Sequence, residues 1–142
     1  MNIRALLTLA AGLLLIASSA SAADPLGTAR SSKFSGELSV ETVVRKNGVI
    51  TVRSLVKNSD KKKSNGVEDC NYAYLLDPEK GVKYEALKDE KGYAIGSASV
   101  YVPEEGSLPI WCKFPAPPNE VKVIGYVHTG FEAIEDLPIT DK

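Results

Sequence analysis

The stretch of residues 107–118 constrains the fold more than any other part of the chain. It contains the only tryptophan, one of the two cysteines and half of the eight prolines. Its apolar residues recur at every second position, the period of a strand with one buried face: Ile110, Cys112 and Phe114. Pro115 then ends the pairing. We therefore predict a central β-strand, with Trp111 and Lys113 on its outer side.

The first 22 residues have the three parts of a secretory signal. Arg4 provides a positive start, an apolar core follows at residues 6–16, and Ala20–Ala22 is a small-residue cleavage site. The apolar core has about a dozen residues, fewer than the ~20 that span a bilayer. We predict removal of residues 1–22, no transmembrane anchor after cleavage, and a periplasmic or secreted protein.

The charge and cysteine counts narrow the function classes. The chain has 17 basic residues, one of them in the signal, and 18 acidic ones, so no basic excess indicates nucleic-acid binding. Two cysteines in an exported chain leave one intrachain pairing, and we predict a Cys70–Cys112 disulfide. Two cysteines and His128 are too few for a zinc site, so we expect no metal and no cofactor.

The start of the folded domain is predicted at Gly36. Residues 23–35 are small and polar without periodicity, which predicts a flexible lead before a domain of residues 36–142. Two alternating stretches then predict a hairpin. A two-residue loop would place their apolar sets on opposite faces, whereas a three-residue loop pairs Val44 with Ile50 and places both on one face. We predict the three-residue loop.

The rest of the chain also has the pattern of short strands. Four more are expected, separated by turns rich in Gly, Pro, Asn and Asp: Cys70–Leu76, Val82–Leu87, Glu120–Val127 and Ile134–Ile139. Residues 93–102 are expected to be irregular or an edge strand, and Pro138 confines the last strand to an edge. Seven or so strands about ten residues apart, without helical periodicity, predict an all-β fold: an immunoglobulin-like antiparallel β-sandwich.

Several segments between residues 54 and 139 are similar to a known group of domains. The resemblance rests on Phe131 and on five segments: Leu55–Asp60, Tyr74–Tyr84, Leu87–Asp89, Ile110–Pro118 and Glu135–Ile139. In these segments the chain resembles uncharacterised exported bacterial immunoglobulin-like domains, which look like structural or binding modules of the cell envelope. Because that group has no agreed activity, the resemblance implies a fold and an envelope location but no catalytic residue.

No set of residues in the sequence points to catalysis. A nucleophile needs a base within reach, and the only histidine, His128, belongs to no known signature. We predict a surface histidine at a strand end. The acidic pairs Asp89–Glu90 and Glu104–Glu105 lie in turns, where carboxylates usually face water. We predict that the protein is not an enzyme, and a hydrolase of unknown type is a third interpretation.

Aromatic side chains carry the sequence argument for binding. Trp111 with Lys113, and the tyrosines Tyr72, Tyr74 and Tyr126, are candidates because aromatic rings on a sheet face stack on sugars or peptide side chains. The same rings also fill sandwich cores, so both interpretations stay open. An outward tryptophan needs cover. We predict cover by the chain itself, from residues 115–118 or the N-terminal lead, with a partner or sugar as the alternative.

Three consecutive lysines, Lys61, Lys62 and Lys63, lie in a polar loop. They are candidates for contact with an anionic surface, although nearby acidic residues favour a solvated loop. Taken with the signal pattern, the sequence predicts a non-catalytic binding or structural module of the bacterial cell envelope, whose partner is an envelope protein or polysaccharide. The alternative is a receptor for a small ligand or carbohydrate.

Overall fold

The computed structural model describes residues 23–142, which form β-strands joined by turns and irregular segments. The predicted signal, residues 1–22, lies outside the described residues. The strands in chain order are β1 (Gly27–Arg30), β2 (Gly36–Lys46), β3 (Val49–Asn58), β4 (Asn65–Val67), β5 (Tyr74–Leu76), β6 (Lys83–Glu85), β7 (Val100–Val102), β8 (Ser107–Pro115), β9 (Val123–Val127), β10 (Ile134–Pro138) and β11 (Thr140–Asp141). Within this described part of the chain, one 3₁₀ turn covers Cys70–Tyr72.

The strands form two main sheets. The first has the antiparallel order β1-β2-β3-β8, and β11 adds to β2 as a parallel strand. The second has the antiparallel order β10-β9-β5-β6, and β4 pairs with β7 separately. The predicted all-β class with packed antiparallel sheets is confirmed. The strands are more numerous than the seven or so expected, because several have only two or three residues.

The core lies between the two main sheets. Alternate residues of the long strands point inward, as the period of a strand requires. The largest fully buried side chains come from both sheets: Phe114, Leu38, Ile50, Leu75, Ile124 and Leu137. Across the interface, the ring of Phe114 meets that of Tyr126 edge to face, with centroids 5.9 Å apart. This packing fixes which side of each strand faces solvent.

The β2–β3 hairpin has a two-residue loop, so the predicted three-residue loop is wrong. Asn47 and Gly48 have φ values of 51° and 75°. Positive φ at both central residues is the requirement of a type I′ turn. Arg45 consequently pairs with Ile50.

A β-bulge in β2 resolves the face mismatch that a two-residue loop would otherwise cause. Val40 pairs with Ser54, but the next pair in the ladder is Thr42 with Arg53. The extra residue in β2 inverts the side chains that follow it. Val40 before the bulge and Val43 after it therefore both face the core, and Arg45 turns inward with them, whereas Val44 faces outward.

Part of the predicted flexible lead is a strand, so the prediction that structure begins near Gly36 is wrong. β1 pairs antiparallel with β2, and Gly27 lies opposite Val40. Ala29 is buried in the core. A Cβ at Gly27 would lie 2.6 Å from Cγ2 of Ile134, so the strand approaches the second sheet closely. Four residues with one buried side chain are too few for a periodic pattern to predict.

β8 pairs with β3 along its whole length, but it is the last strand of its sheet and not a central one. Its other edge is covered by an irregular segment, residues 87–97. The Lys113 N–H donates to the Ile95 carbonyl (3.0 Å), and the Ser97 N–H donates to the Trp111 carbonyl (2.8 Å). The edge of β8 that faces away from β3 therefore has backbone hydrogen-bond partners at Trp111 and at Lys113.

The predicted disulfide is confirmed. The S–S bond joins Cys70 and Cys112, both almost fully buried, and links the 3₁₀ turn before β5 to β8 of the first sheet. Cys70 lies in the 3₁₀ turn, and the predicted strand starts only at Tyr74. A disulfide is consistent with an extracytoplasmic location. Pro138 lies in β10 at the edge of the second sheet, as predicted.

Candidate functional site

Trp111 and Lys113 lie on the outer side of β8. Ile110, Cys112 and Phe114 are buried, so the alternation of the strand points the side chains of Trp111 and Lys113 outward. Both of these outward residues are half-buried. The Nζ of Lys113 lies 5.8 Å from the centroid of the Trp111 ring. This distance is within the range of cation–π attraction. The predicted orientation of the two side chains is therefore the one that the structure shows.

The two segments predicted to cover Trp111 lie elsewhere. Pro115 ends β8 four residues further on, about 13 Å along an extended strand. The next residue, Ala116, donates its N–H to the carbonyl of Gly48 in the hairpin loop. Strand β1 of the N-terminal lead is separated from β8 by β2 and β3. The prediction of cover by these segments is wrong, because both are held at other places on the sheet.

A shallow depression of about 440 Å³ lies on the same outer face. Its floor is formed by half-buried side chains of β2 and β3, including Val44, Val49 and Thr51. Four cationic side chains line it: Lys46, Arg53, Lys113 and Lys142. None of the described residues that line it is acidic. We call these four side chains, together with Trp111, the basic face.

The cations of the basic face form a band and do not converge on a point. They come from β2, β3, β8 and the residue after β11, and the sheet places these strands in the order β11-β2-β3-β8. Three strand spacings of about 4.8 Å make the band roughly 14 Å wide. Arg53 lies directly opposite Trp111 in the β3–β8 ladder. The aromatic ring and two cations therefore share one end of the band.

Arg45 is buried on the inner side of β2, with only 4% of its surface exposed. Its Nε and Nη2 donate to the two carboxylate oxygens of Asp141, at 2.6 and 3.1 Å. The three remaining N–H groups of the guanidinium are shared among four backbone carbonyls, at 2.9 to 3.3 Å: Pro117, Pro118, Asn119 and Val121. These bonds hold the proline segment and β11 against β2.

The Arg45–Asp141 pair keeps both partners charged. The hydrogen bond to Asp141 raises the pKa of Arg45, and the same bond lowers the pKa of Asp141. The N–H of Lys142 also donates to the Arg45 carbonyl, at 3.0 Å. The backbone of Lys142 is therefore fixed beside β2, and its side chain reaches the depression. Sequence reasoning missed this arrangement, because it depends on contacts between residues far apart in the chain.

Two of the candidate tyrosines lie on a different surface. Tyr72 is 76% exposed in the 3₁₀ turn, and Tyr74 is half-buried on β5 of the second sheet. The Nζ of Lys83 lies 4.2 Å from the centroid of the Tyr74 ring. The two tyrosines border a small depression of about 80 Å³. The structure does not bring them together with Trp111.

Tyr126 is 2% exposed, so it is not available to a ligand on a sheet face. Its position on β9 points the ring into the core, where it packs on Phe114. Burial raises the pKa of the Tyr126 hydroxyl. The prediction of Tyr126 as a ligand-binding residue is wrong, because its side chain lies on the side of β9 that faces the core.

His128 is also buried, at 2% exposure, so the predicted surface histidine is wrong. Its Nε2 lies 2.9 Å from the Glu68 carbonyl oxygen, which can only accept, so Nε2 carries a hydrogen. In the neutral ring Nδ1 is then the acceptor for the Tyr126 hydroxyl, at 3.0 Å. Burial lowers the pKa of His128. Both ring nitrogens are occupied by structural bonds.

The three consecutive lysines lie far from the basic face. Lys61, Lys62 and Lys63 are exposed in the loop after β3, whereas the depression lies at the start of β3. Ten residues of strand correspond to roughly 30 Å. The Lys62 N–H donates to a carboxylate oxygen of Asp60, at 2.9 Å, which shapes the loop locally.

Between residues 23 and 142, no group of three or more His, Cys, Asp or Glu side chains is placed to hold a metal ion. In the same part of the chain, no helix has the length and apolar character needed to cross a membrane. No protein-family model, no curated protein and no solved structure matches the chain. Its resemblance to exported immunoglobulin-like domains stays a prediction.

Proposed function

We propose that the chain is an exported, non-catalytic binding module of the bacterial cell envelope, and that the basic face is its binding surface. The observation that carries the proposal is the depression on the outer face, with four cations and no acidic lining residue beside a half-buried Trp111. A β-sandwich of packed antiparallel sheets presents a hydrogen-bonded sheet face on which such side chains are held in place.

The charge distribution supports a binding role over a purely structural one. The whole chain has a net charge of −1, so a surface with four cations is a local concentration of one sign. Like charges repel one another unless an external anion neutralises them. The nearest acidic side chain on β11, Asp141, is already paired with Arg45 and lies 3.5 Å from Lys122. None of the ion pairs among the described residues involves a cation of the basic face, so these cations are available to an anionic partner.

The export part of the proposal rests on two observations. Residues 1–22 have the pattern of a secretory signal. The only two cysteines form a buried disulfide, a bond that persists in oxidising compartments. A periplasmic or secreted location accounts for both.

Co-sedimentation with isolated bacterial cell envelopes tests the proposed function. The mature chain, residues 23–142, is compared with Trp111→Ala and Lys113→Ala, and circular dichroism checks that each variant is folded. We expect both variants to lose most of the sedimenting fraction. Tyr72→Ala is the matched control, because it removes a more exposed aromatic ring from the other surface. Equal loss with Tyr72→Ala, or no loss with either outer-face variant, contradicts the proposal.

A further inference from the structure

We infer that the ligand of the basic face is an acidic polysaccharide, a linear chain of sugar rings that carry carboxylates. This inference rests on the proposed function and adds the chemical class of the partner. It follows from three properties of the basic face: the distance over which its cations are spread, the pairing of its backbone N–H groups in the β ladders, and the position of Trp111.

The spread of the cations favours a long ligand with several negative charges. Lys142 and Lys113 come from opposite sides of a band roughly 14 Å wide, three strand spacings across. A single small anion could contact one or two of these side chains but not all of them. A linear polyanion lying across the strands can pair with each in turn, and it would release bound counterions along its length.

The backbone of the face is not arranged for a compact phosphate. Such sites use free N–H groups at a helix N-terminus or in a backbone nest. The depression of this protein lies on a sheet, and the β2–β3 and β3–β8 ladders pair continuously beneath it. The side chains therefore carry the recognition, through charges at the ends of flexible stems.

Trp111 favours sugar rings over other polyanions. Arg53 lies opposite Trp111, and Lys113 Nζ is 5.8 Å from its ring centroid. A sugar can place its C–H face on the indole while its carboxylate pairs with Arg53 or Lys113. A peptide that bound by adding a strand to the sheet would need a free strand edge. The edge of β8 at this position is already bonded by the segment that contains Ile95 and Ser97.

The lack of a basic excess in the whole chain disfavours nucleic acid. Nucleic-acid-binding domains usually have a strongly positive balance, whereas 18 acidic residues here outnumber 17 basic ones. The disulfide is consistent with a compartment in which envelope polysaccharides, and not nucleic acids, are the abundant polyanions.

Isothermal titration with defined polymers tests the inference. The probe is oligogalacturonate, and the comparison probes are its methyl-esterified form, poly-glutamate of similar length and oligothymidylate. We expect binding to oligogalacturonate to weaken with added salt, and to be lost when the carboxylates are esterified. Arg53→Ala and Lys113→Ala should each weaken it about tenfold, as loss of a charge-assisted hydrogen bond implies. Lys80→Ala, which removes an exposed cation from the turn after β5 of the other sheet, should leave it unchanged.

Each remaining outcome decides between the inference and the proposed function. Equal affinity for the esterified form, or tighter binding to poly-glutamate or oligothymidylate, overturns the acidic polysaccharide. If oligogalacturonate does not bind but Trp111→Ala and Lys113→Ala still abolish envelope binding, the inference fails and the proposed function stands. If these two variants also leave envelope binding unchanged, the proposed function fails as well.

Discussion

Replacing Arg45 with methionine should destabilise the fold more than any surface substitution on the same sheet. Methionine keeps most of the apolar stem buried, but it removes all donors of the guanidinium. The four carbonyl acceptors between residues 117 and 121 then lose their charged partner. Asp141 is half-exposed and can return to water, so the main cost comes from the carbonyls.

The magnitude follows from the number of bonds. A net contribution of about 1 kcal/mol for each of four bonds, reduced for partial access of water, gives a loss of about 3 kcal/mol. This is a large fraction of the ~5–15 kcal/mol by which a domain of this size is stable. For about 120 residues it corresponds to a melting temperature lower by roughly 10 °C. Asp141→Asn keeps the carbonyl bonds and should cost less.

Urea unfolding followed by Trp111 fluorescence measures the effect. The matched control is Arg53→Met, which makes the same chemical change at an exposed position of the neighbouring strand and should shift stability by less than about 0.5 kcal/mol. If Arg45→Met and Arg53→Met have the same stability, the buried guanidinium does not hold the proline segment and β11. The argument that Arg45 positions Lys142 would then be wrong.

Three further predictions concern the core. The Cys70–Cys112 bond closes a loop with a sequence separation of 42, for which the chain-entropy relation gives about 4 kcal/mol, so reduction should clearly lower the urea midpoint; an unchanged midpoint would contradict this. Gly96→Ala should cost about 2 kcal/mol, because its Cβ would meet the Cys70 sulfur and lie 2.5 Å from the Trp111 carbonyl oxygen. Gly66→Ala, whose nearest contact is 3.5 Å, should cost much less, and equal melting temperatures would refute the steric argument. Stability should fall as the pH drops below about 6.5, because the lowered pKa keeps folded His128 neutral while the unfolded chain takes up a proton. His128→Gln should flatten this dependence between about pH 7 and pH 5, and a wild-type midpoint that stays constant over that interval would contradict it.

Long alternating stretches were the part of the fold that sequence could predict. In the five consecutive residues 110–114, the alternation of apolar side chains leaves only one choice of which side chains face the core. In the structure the three alternating apolar residues are buried, and Trp111 and Lys113 face outward, as this period requires. The disulfide could be predicted because two cysteines allow one pairing. Both predictions depend on local pattern or counting, and neither requires knowledge of distant contacts.

The errors arise where a local rule depends on a non-local contact. The prediction of a three-residue hairpin loop assumed that β2 and β3 pair without interruption. The bulge between Val40 and Thr42 shifts the register, so that assumption does not hold. The same bulge turns Arg45 inward at a position where alternation alone would place a charge outside. β1 and β11 are too short to show a period, so their pairing with β2 could not be predicted.

The candidate site was predicted in part. Trp111 and Lys113 were identified from their place in β8, whereas Lys46 joins them through the pairing of β2, β3 and β8, and Lys142 only because β11 runs parallel to β2. Tyr126 is a binding candidate in sequence because aromatic rings stack on ligands as readily as they fill cores, and its burial is decided by the packing of the two sheets. Sequence patterns therefore indicate outward residues within a strand, but not which strands share a face.

Protection of Trp111 from iodide quenching tests the central claim most directly, because the chain has one tryptophan and its emission reports the basic face alone. The half-buried ring should be partly quenched in the free mature protein. At saturation with oligogalacturonate, with occupancy checked by titration calorimetry, we expect the quenching constant to fall clearly, and added salt to restore it. Saturation that leaves the quenching of Trp111 unchanged would show that the ligand binds elsewhere and would contradict the assignment of the basic face as the binding surface.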